Sequence, residues 1–514
     1  MSPARLAALA LCLASPVLAQ EDGTLRMGLS VTPSSFDPQL GALGSDETYY
    51  SHVYDALFMR SPNLQPVPKL ATGYTLIDDL TWEIELREGV TFHDGSAFDA
   101  HDVVFTLERL PTVEGSDGLN TEKMAPVTEV EIVDPHKIRV TTDVPVPNFI
   151  SQLFTIFIIS DELDPGVTTA EFNDGTAAIG TGPYEFVEWR QGEEVVLEAN
   201  EDYFDGPPAF ERVVLREMPN DGSRVAALLA GDVDFIDAVP PLDVARLRAS
   251  GELNVVSGPS ARVVFIQLQT DPAPHPLVTA KGGGAPLDPN PLSIPEVRRA
   301  LAMAVDRDLI VDRIMDGLAE AASQAVPAGF IGHAEALDAP APGGDAAALL
   351  AEAGYPDGFA LTLSCTNDRY VNDAAICQAV GQMLSRIGVE TTVDTMPRSA
   401  YFGPMREGAF AAWMLAWGNS QGHAGSVLPS VFRTGGSWNG GTSIPEADPM
   451  IDASIAIMDE AARDAAMAEA MAFLVEQSAY IPLHAQAVTV ALRAGLDYEI
   501  MADETSLAVN VTRP

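Results

Sequence analysis

The sequence predicts an α/β protein whose later half carries an open parallel sheet. Three observations predict it. Between residues 360 and 417 extended and helical patterns alternate as strand, helix, strand, helix, strand, an order that right-handed crossovers convert into a parallel sheet. The chain has 514 residues, 47% hydrophobic and 20% charged, a globular composition long enough for two or three domains. A loop rich in Pro and Gly over residues 271–295 separates this half from an earlier one.

Taken in order, residues 1–19 have the layout of a secretory signal peptide. Arg5 supplies the charged start, residues 6–13 the apolar core and Val17, Leu18 and Ala19 the cleavage site, so an exported mature chain is expected from Gln20. Cys12 follows Leu11 inside that core, so no lipid anchor is expected. Residues 24–31 follow as a strand, and residues 47–58 place Tyr50, Val53, Tyr54 and Leu57 at helical spacing, a core-facing stripe. Residues 81–110 are the most informative stretch. Trp82, Ile84, Leu86, Val90 and Phe92 fall on one face of an extended segment that turns at His93, Asp94, Gly95 and Ser96. From Asp99, placed to cap, the spacing becomes helical through Val103, Val104, Leu107 and Leu110, with Asp102 and Glu108 left for solvent.

Residues 127–141 read as a hairpin about Asp134 and Pro135. Gly180, Thr181, Gly182 and Pro183 make a turn into a strand over 184–189; no Lys-Ser or Lys-Thr follows, so these glycines are not a phosphate cradle. Strand, helix and return strand follow over 213–218, 223–229 and 231–236. Residues 263–269 read as a strand crossing into the later half, where helical spacing begins from Pro295 and Asp306 is placed to cap a second helix. A helix over 345–353 stops at Gly354. After the alternating region, residues 445–477 supply two helices.

The formal net charge is -44, from 29 Lys and Arg against 73 Asp and Glu. Phosphate binding needs clustered cations, so nucleic acid is excluded as a partner. No run after residue 19 reaches the roughly 18 apolar residues that span a bilayer. Cys365 and Cys377, at a strand end and inside a helix, are expected to form a disulfide in an oxidising compartment; the alternative is two separate buried thiols. The chain lacks a Gly-x-Ser-x-Gly elbow and a His-Glu-x-x-His helix, and its eight histidines are scattered. No enzyme, metal site or cofactor is expected. A periplasmic hydrolase is the rival class and would need a nucleophile beside a base.

The string Arg87 to Gly95, running into Ala100 to Arg109, resembles the signature of solute-binding protein family 5, the peptide, oligopeptide and nickel binding proteins of ABC importers. Phe36 with Pro38, Pro68 to Ala71, Gly180 to Tyr184 and Ile481 to Leu483 resemble further strings of that family. The resemblance covers nearly the whole mature chain. It implies a two-lobed periplasmic binding protein fold of type II, in the large cluster with an extra subdomain in lobe I. The implied division is lobe I over 20–53, 171–264 and 481–514, the inserted subdomain over 54–170, and lobe II over 265–480. It also implies a small peptide or peptide-like solute as partner, with a separate permease and its ATPase, and a monomeric chain.

In open α/β sheets ligands meet the loops at the carboxyl ends of strands. Those loops carry Asn367, Asp368, Arg369 and Tyr370; Arg398 and Tyr401; and Trp417, Asn419 and Ser420. Guanidinium groups grip a carboxylate, aromatic rings stack and amides orient. Arg369 and Arg398 are the candidates for an anionic group, the alternative being ion pairs with Asp368 or Asp394. Ser35 and Phe36 are added because the resemblance places their loop at the cleft mouth. Peptide-binding relatives carry an acid shortly after this tryptophan, where it meets the ligand's amino group. Asn419 stands in that region here, which opens the alternative of an opine-like, sugar-derived or metal-chelate solute, the last with His423.

Overall fold

The computed structural model describes residues 23–41, 44–116, 118–338 and 344–513; the expected signal peptide lies outside the described residues. A 12-stranded mixed sheet runs through the molecule. Its two long strands, Leu253–Leu268 and Tyr480–Arg493, pair antiparallel with each other. Residues 253–259 of that ladder face 487–493 and continue into Phe235–Ile236, Thr24–Leu29 and Arg212–Glu217. Residues 263–267 face 480–485 and continue into Ala412–Gly418, Ala360–Thr366 and Glu390–Met396. The register shifts between Pro259 and Val263, which leaves Ser260, Ala261 and Arg262 as a bulge where the two halves meet. The halves are the sheets of two lobes, and the two long strands cross between them.

Ala360–Thr366 lies parallel to both Glu390–Met396 and Ala412–Gly418, as the alternation of strands and helices requires. Successive residues point to opposite faces. Val264, Ile266 and Leu268 therefore pack with Ile376 and Val380 of the helix Asp373–Arg386, while Val263 and Phe265 pack with Trp413 and Leu415 on the other face. Lobe I has its own core of Leu25, Met27, Leu29, Tyr50, Tyr54, Val213 and Leu215.

A separate antiparallel sheet takes Ala71–Asp78, Thr81–Leu86, Lys137–Thr142 and Val127–Asp134 in that spatial order. Trp82, Ile84 and Leu86 point inward as their alternation requires, onto Val103 of the helix Ala100–Arg109 and onto Ile138, Val140 and Phe149. Asp99 caps that helix, its carboxylate accepting from the His101 N–H. Asp102 is not left for solvent. It is 1% exposed, because its two oxygens take the Asp99 and Asp161 backbone N–H groups at 2.7 and 2.8 Å.

Two boundaries differ from the periodicity. The first helix is Gly44–Val53, and Phe58 already belongs to a strand. Asp55 and Ala56 pair instead with Ile158 and Phe157, and the Gly182 N–H donates to the Val53 carbonyl, so tertiary partners end the helix although its apolar stripe continues. The crossing strand begins at Leu253, before the expected 263; Ser257, Gly258, Pro259 and Ser260 break its apolar pattern without breaking the ladder.

Candidate functional site

The cleft is built at the bulge. Arg262 stands opposite Gly418 across the ladder, and its guanidinium lies against that glycine. It binds Glu504 of the C-terminal segment as a fork, Nε to Oε1 at 2.9 Å and Nη2 to Oε2 at 2.8 Å, while the Ser260 hydroxyl donates to Oε1 at 2.8 Å. Burial works against both charges, but each partner outweighs it: the Arg262 pKa is raised and that of Glu504 lowered. Glu504 holds a left-handed backbone, φ 71°, a strained conformation for a residue with a side chain. A cavity of 170 Å³ opens here, lined by Glu47, Asp503 and Glu504 from lobe I and by Arg262, Gly418 and Ser420. Sequence reasoning did not find Arg262 or Glu504; the available signal was an arginine opening the apolar run from Val263.

The strand-end loops converge beside it. The Asp373 carboxylate gathers the first loop, accepting from the Thr366 hydroxyl at 2.7 Å and from the Arg369 and Tyr370 N–H groups at 3.1 and 3.3 Å. Asn367 donates its backbone N–H to the Met396 carbonyl, and Asp368 accepts the Arg398 N–H at 2.7 Å, so the first two loops are stapled together. Arg369 stacks over the Tyr370 ring, 5.2 Å from its centroid. Surrounding protein bulk, then the Arg262 charge, push the Arg369 pKa down. Among the described residues no carboxylate pairs with the guanidinium of Arg369 or of Arg398, so the ion pairs weighed from the sequence are not made. Trp417 is half-buried, donates from Nε1 to the Ser426 hydroxyl at 3.1 Å and meets Trp438 edge-on.

Four expected contacts are turned into the protein. Tyr401 is fully buried, its hydroxyl donating to the Met414 carbonyl at 2.7 Å with Ser364 O at 3.1 Å. Asn419 is fully buried, its amide donating to the Ala261 and Ala325 carbonyls, both at 3.1 Å. Ser35 donates to Asn173 at 2.7 Å, and Phe36 packs among Tyr49, Phe186 and Trp189. Their loop is drawn inward because Asp37 is forked to Arg109 at 2.9 and 2.7 Å. His423 is also interior; burial, then the Arg463 charge, lower its pKa to about 4.

Cys365 and Cys377 are joined as a disulfide, with Cα atoms 6.6 Å apart, under the Asp373 end of the helix. Among the described residues no group of three or more His, Cys, Asp and Glu is placed to hold a metal ion, and no helix is long and apolar enough to cross a membrane.

Two lobes joined by two crossing strands, with polar loops converging on the junction, define a two-lobed solute-binding protein. Residues 65–439 match the family described as bacterial extracellular solute-binding proteins, family 5 Middle, and the chain belongs to that family. It is 28% identical over 435 residues, 83% of this chain and 80% of the relative, to the glutathione-binding protein GsiB of Pectobacterium atrosepticum. Its fold is similar to that of DppA from Helicobacter pylori in complex with the peptide STSA, at 21% identity and TM-score 0.76, covering 96% of this chain and 98% of that one. HbpA2 from Haemophilus parasuis superposes at TM-score 0.80 with 22% identity, over 96% and 100% of the two chains.

Proposed function

We propose that the mature protein works in the periplasm, capturing a peptide or peptide-like solute between its lobes and delivering it to a separate permease driven by its ATPase. Membership of the family and the likeness to a glutathione-binding protein support this. The observation that carries the solute class is Arg369. It is a guanidinium at a strand end, beside that of Arg398, neither with a carboxylate partner among the described residues, and with Tyr370 beneath it. Such a group grips a carboxylate through charge-assisted hydrogen bonds. Asn367, Asp368, Trp417 and Ser420 complete the rim, with Arg262 and Glu504 as floor. This reading takes lobe II as residues 265–480, between the crossing strands.

A second reading, an opine-like or other acidic conjugate, is favoured by the same pair of arginines and by Asn419 where peptide-binding relatives carry an acid. Binding acts by closing the lobes, since a solute held from both sides favours the closed form over the open one.

A thermal-shift screen of the mature protein against glutathione, dipeptides, oligopeptides and acidic conjugates tests the assignment, because a ligand of the folded state alone raises the melting temperature. Carboxylate-bearing solutes are expected to shift it. Arg369→Ala is expected to weaken their binding by roughly tenfold to a hundredfold, the loss of a hydrogen bond between charged groups. Unchanged binding in that variant would remove the carboxylate clamp, and turnover of an ester or amide without any shift would replace transport by hydrolysis.

A further inference from the structure

We propose that lobe I carries a subsite for the ammonium group of the solute, with Glu47 as its acceptor; this rests on the functional reading above. The cleft is polarised. On lobe II, Arg369 and Arg398 have no carboxylate partner among the described residues. On lobe I, Glu47 and Asp503 share a single guanidinium nitrogen, Nη1 of Arg60. Two carboxylates against one guanidinium leave one negative charge unmatched. The helix Gly44–Val53 begins beside it, and its N-terminal dipole is equivalent to about half an elementary charge, which offsets only part of the excess.

This excess is not dissolved in bulk water. The side chains of Arg60, Glu47 and Asp503 are 9%, 8% and 5% exposed, and a buried charge without a counterion is costly. The structure also leaves a place for that counterion. Glu47 lines the 170 Å³ cavity at the hinge. One of its oxygens, Oε2, is taken by Arg60, and Oε1 accepts a hydrogen bond from no described residue. The neighbouring carboxylates are committed. Asp503 takes Arg60 through Oδ2 and the Thr505 N–H and hydroxyl through Oδ1, and Glu504 is held by Arg262 and Ser260. Asn419 cannot serve, because its amide faces the Ala261 and Ala325 carbonyls.

A zwitterion therefore has one orientation. Its carboxylate goes to Arg369 on lobe II, and its ammonium donates to Glu47 Oε1 on lobe I. Each lobe holds one end, so both contacts are complete only when the lobes are together, which ties recognition of the free amino group to closure.

Calorimetric titration of the mature full chain with glutathione and with dialanine, each as the free amine and as the N-acetylated form, tests the subsite. For the probe that binds, the free amine is expected to bind at least roughly tenfold more tightly than its acetylated form, as a charge-assisted hydrogen bond to a desolvated carboxylate predicts. Glu47→Gln is expected to bring that ratio to within about twofold, and Asp503→Asn, which frees Arg60 to neutralise Glu47, to reduce it. Equal affinity of the two forms for the wild-type protein overturns the subsite and leaves the transport reading standing, as does a ratio undiminished in both variants. Absence of binding by all four probes overturns the subsite together with the peptide reading.

Discussion

At Asp102 two hydrogen bonds compete with burial, and burial wins. The carboxylate takes the Asp99 and Asp161 N–H groups, which favour its charge, yet burial pushes its pKa up to about 7 from the ordinary 3.8. Asp55, held by Tyr203 and Thr181, is pushed up to about 6 for the same reason. A carboxyl whose folded pKa lies above its unfolded one binds its proton more tightly in the folded chain. Its contribution therefore falls as pH rises from about 4 to about 7 and is level above that. Asp102→Asn removes this dependence along with one acceptor of the capping box. Between about pH 5 and pH 7, the stability of the variant relative to wild type is expected to rise by roughly 1.4 kcal/mol per pH unit, measured as urea denaturation at steps across that range. A difference that stays flat with pH would mean that Asp102 is ionised throughout.

The family strings tie elements of the fold together. Arg109 closes the helix Ala100–Arg109 and reaches across to Asp37 and Gln39, at 2.7 to 2.9 Å, with Phe172 beneath its guanidinium. His93 joins two further strings, accepting the Gly180 N–H at Nδ1 and donating from Nε2 to the Gly182 carbonyl, which agrees with the turn role that its sequence context implies. Gly180 and Gly182 are required because a Cβ at either would collide with the Val53 carbonyl. Arg109→Met leaves the Asp37 carboxyl, buried at 0% exposure, without its cation, and removing one partner of a buried pair costs about 3–5 kcal/mol. Chemical denaturation of the variant should show that loss; a change under about 1 kcal/mol would mean that water or Thr169, which donates to Asp37 at 2.8 Å, compensates the lost partner. Strands such as Thr81–Leu86 were legible because alternation is local. The end of the first helix was not, since Asp55 and Ala56 are claimed by Phe157 and Ile158, about a hundred positions away.

For the whole molecule, the lobes were legible from the order of strands and helices, but the floor of the cleft was not. Arg262 and Glu504 are 242 positions apart, so no window contains both, and each taken alone is an ordinary surface charge. Tyr401 and Asn419 were drawn to the site by their place at strand ends, where the direction of a side chain depends on neighbours such as Ala325 that the local pattern omits. Charge acts at this scale too. With 29 Lys and Arg against 73 Asp and Glu, even complete pairing leaves an excess of 44 negative charges, and like charges at such density oppose the compact state. Salt has two opposed effects. It weakens exposed pairs such as Arg139 with Glu131 and Arg433 with Asp452, which contribute little, and it screens the repulsion, the Debye length falling from about 30 Å at 0.01 M to about 3 Å at 1 M. Because the unpaired acids outnumber all possible pairs, screening wins, and the urea midpoint of the ligand-free protein is expected to rise steadily with sodium chloride from about 0.01 M to about 1 M. A midpoint that falls over that range would mean that the ion pairs, not the excess charge, set the electrostatic part of its stability.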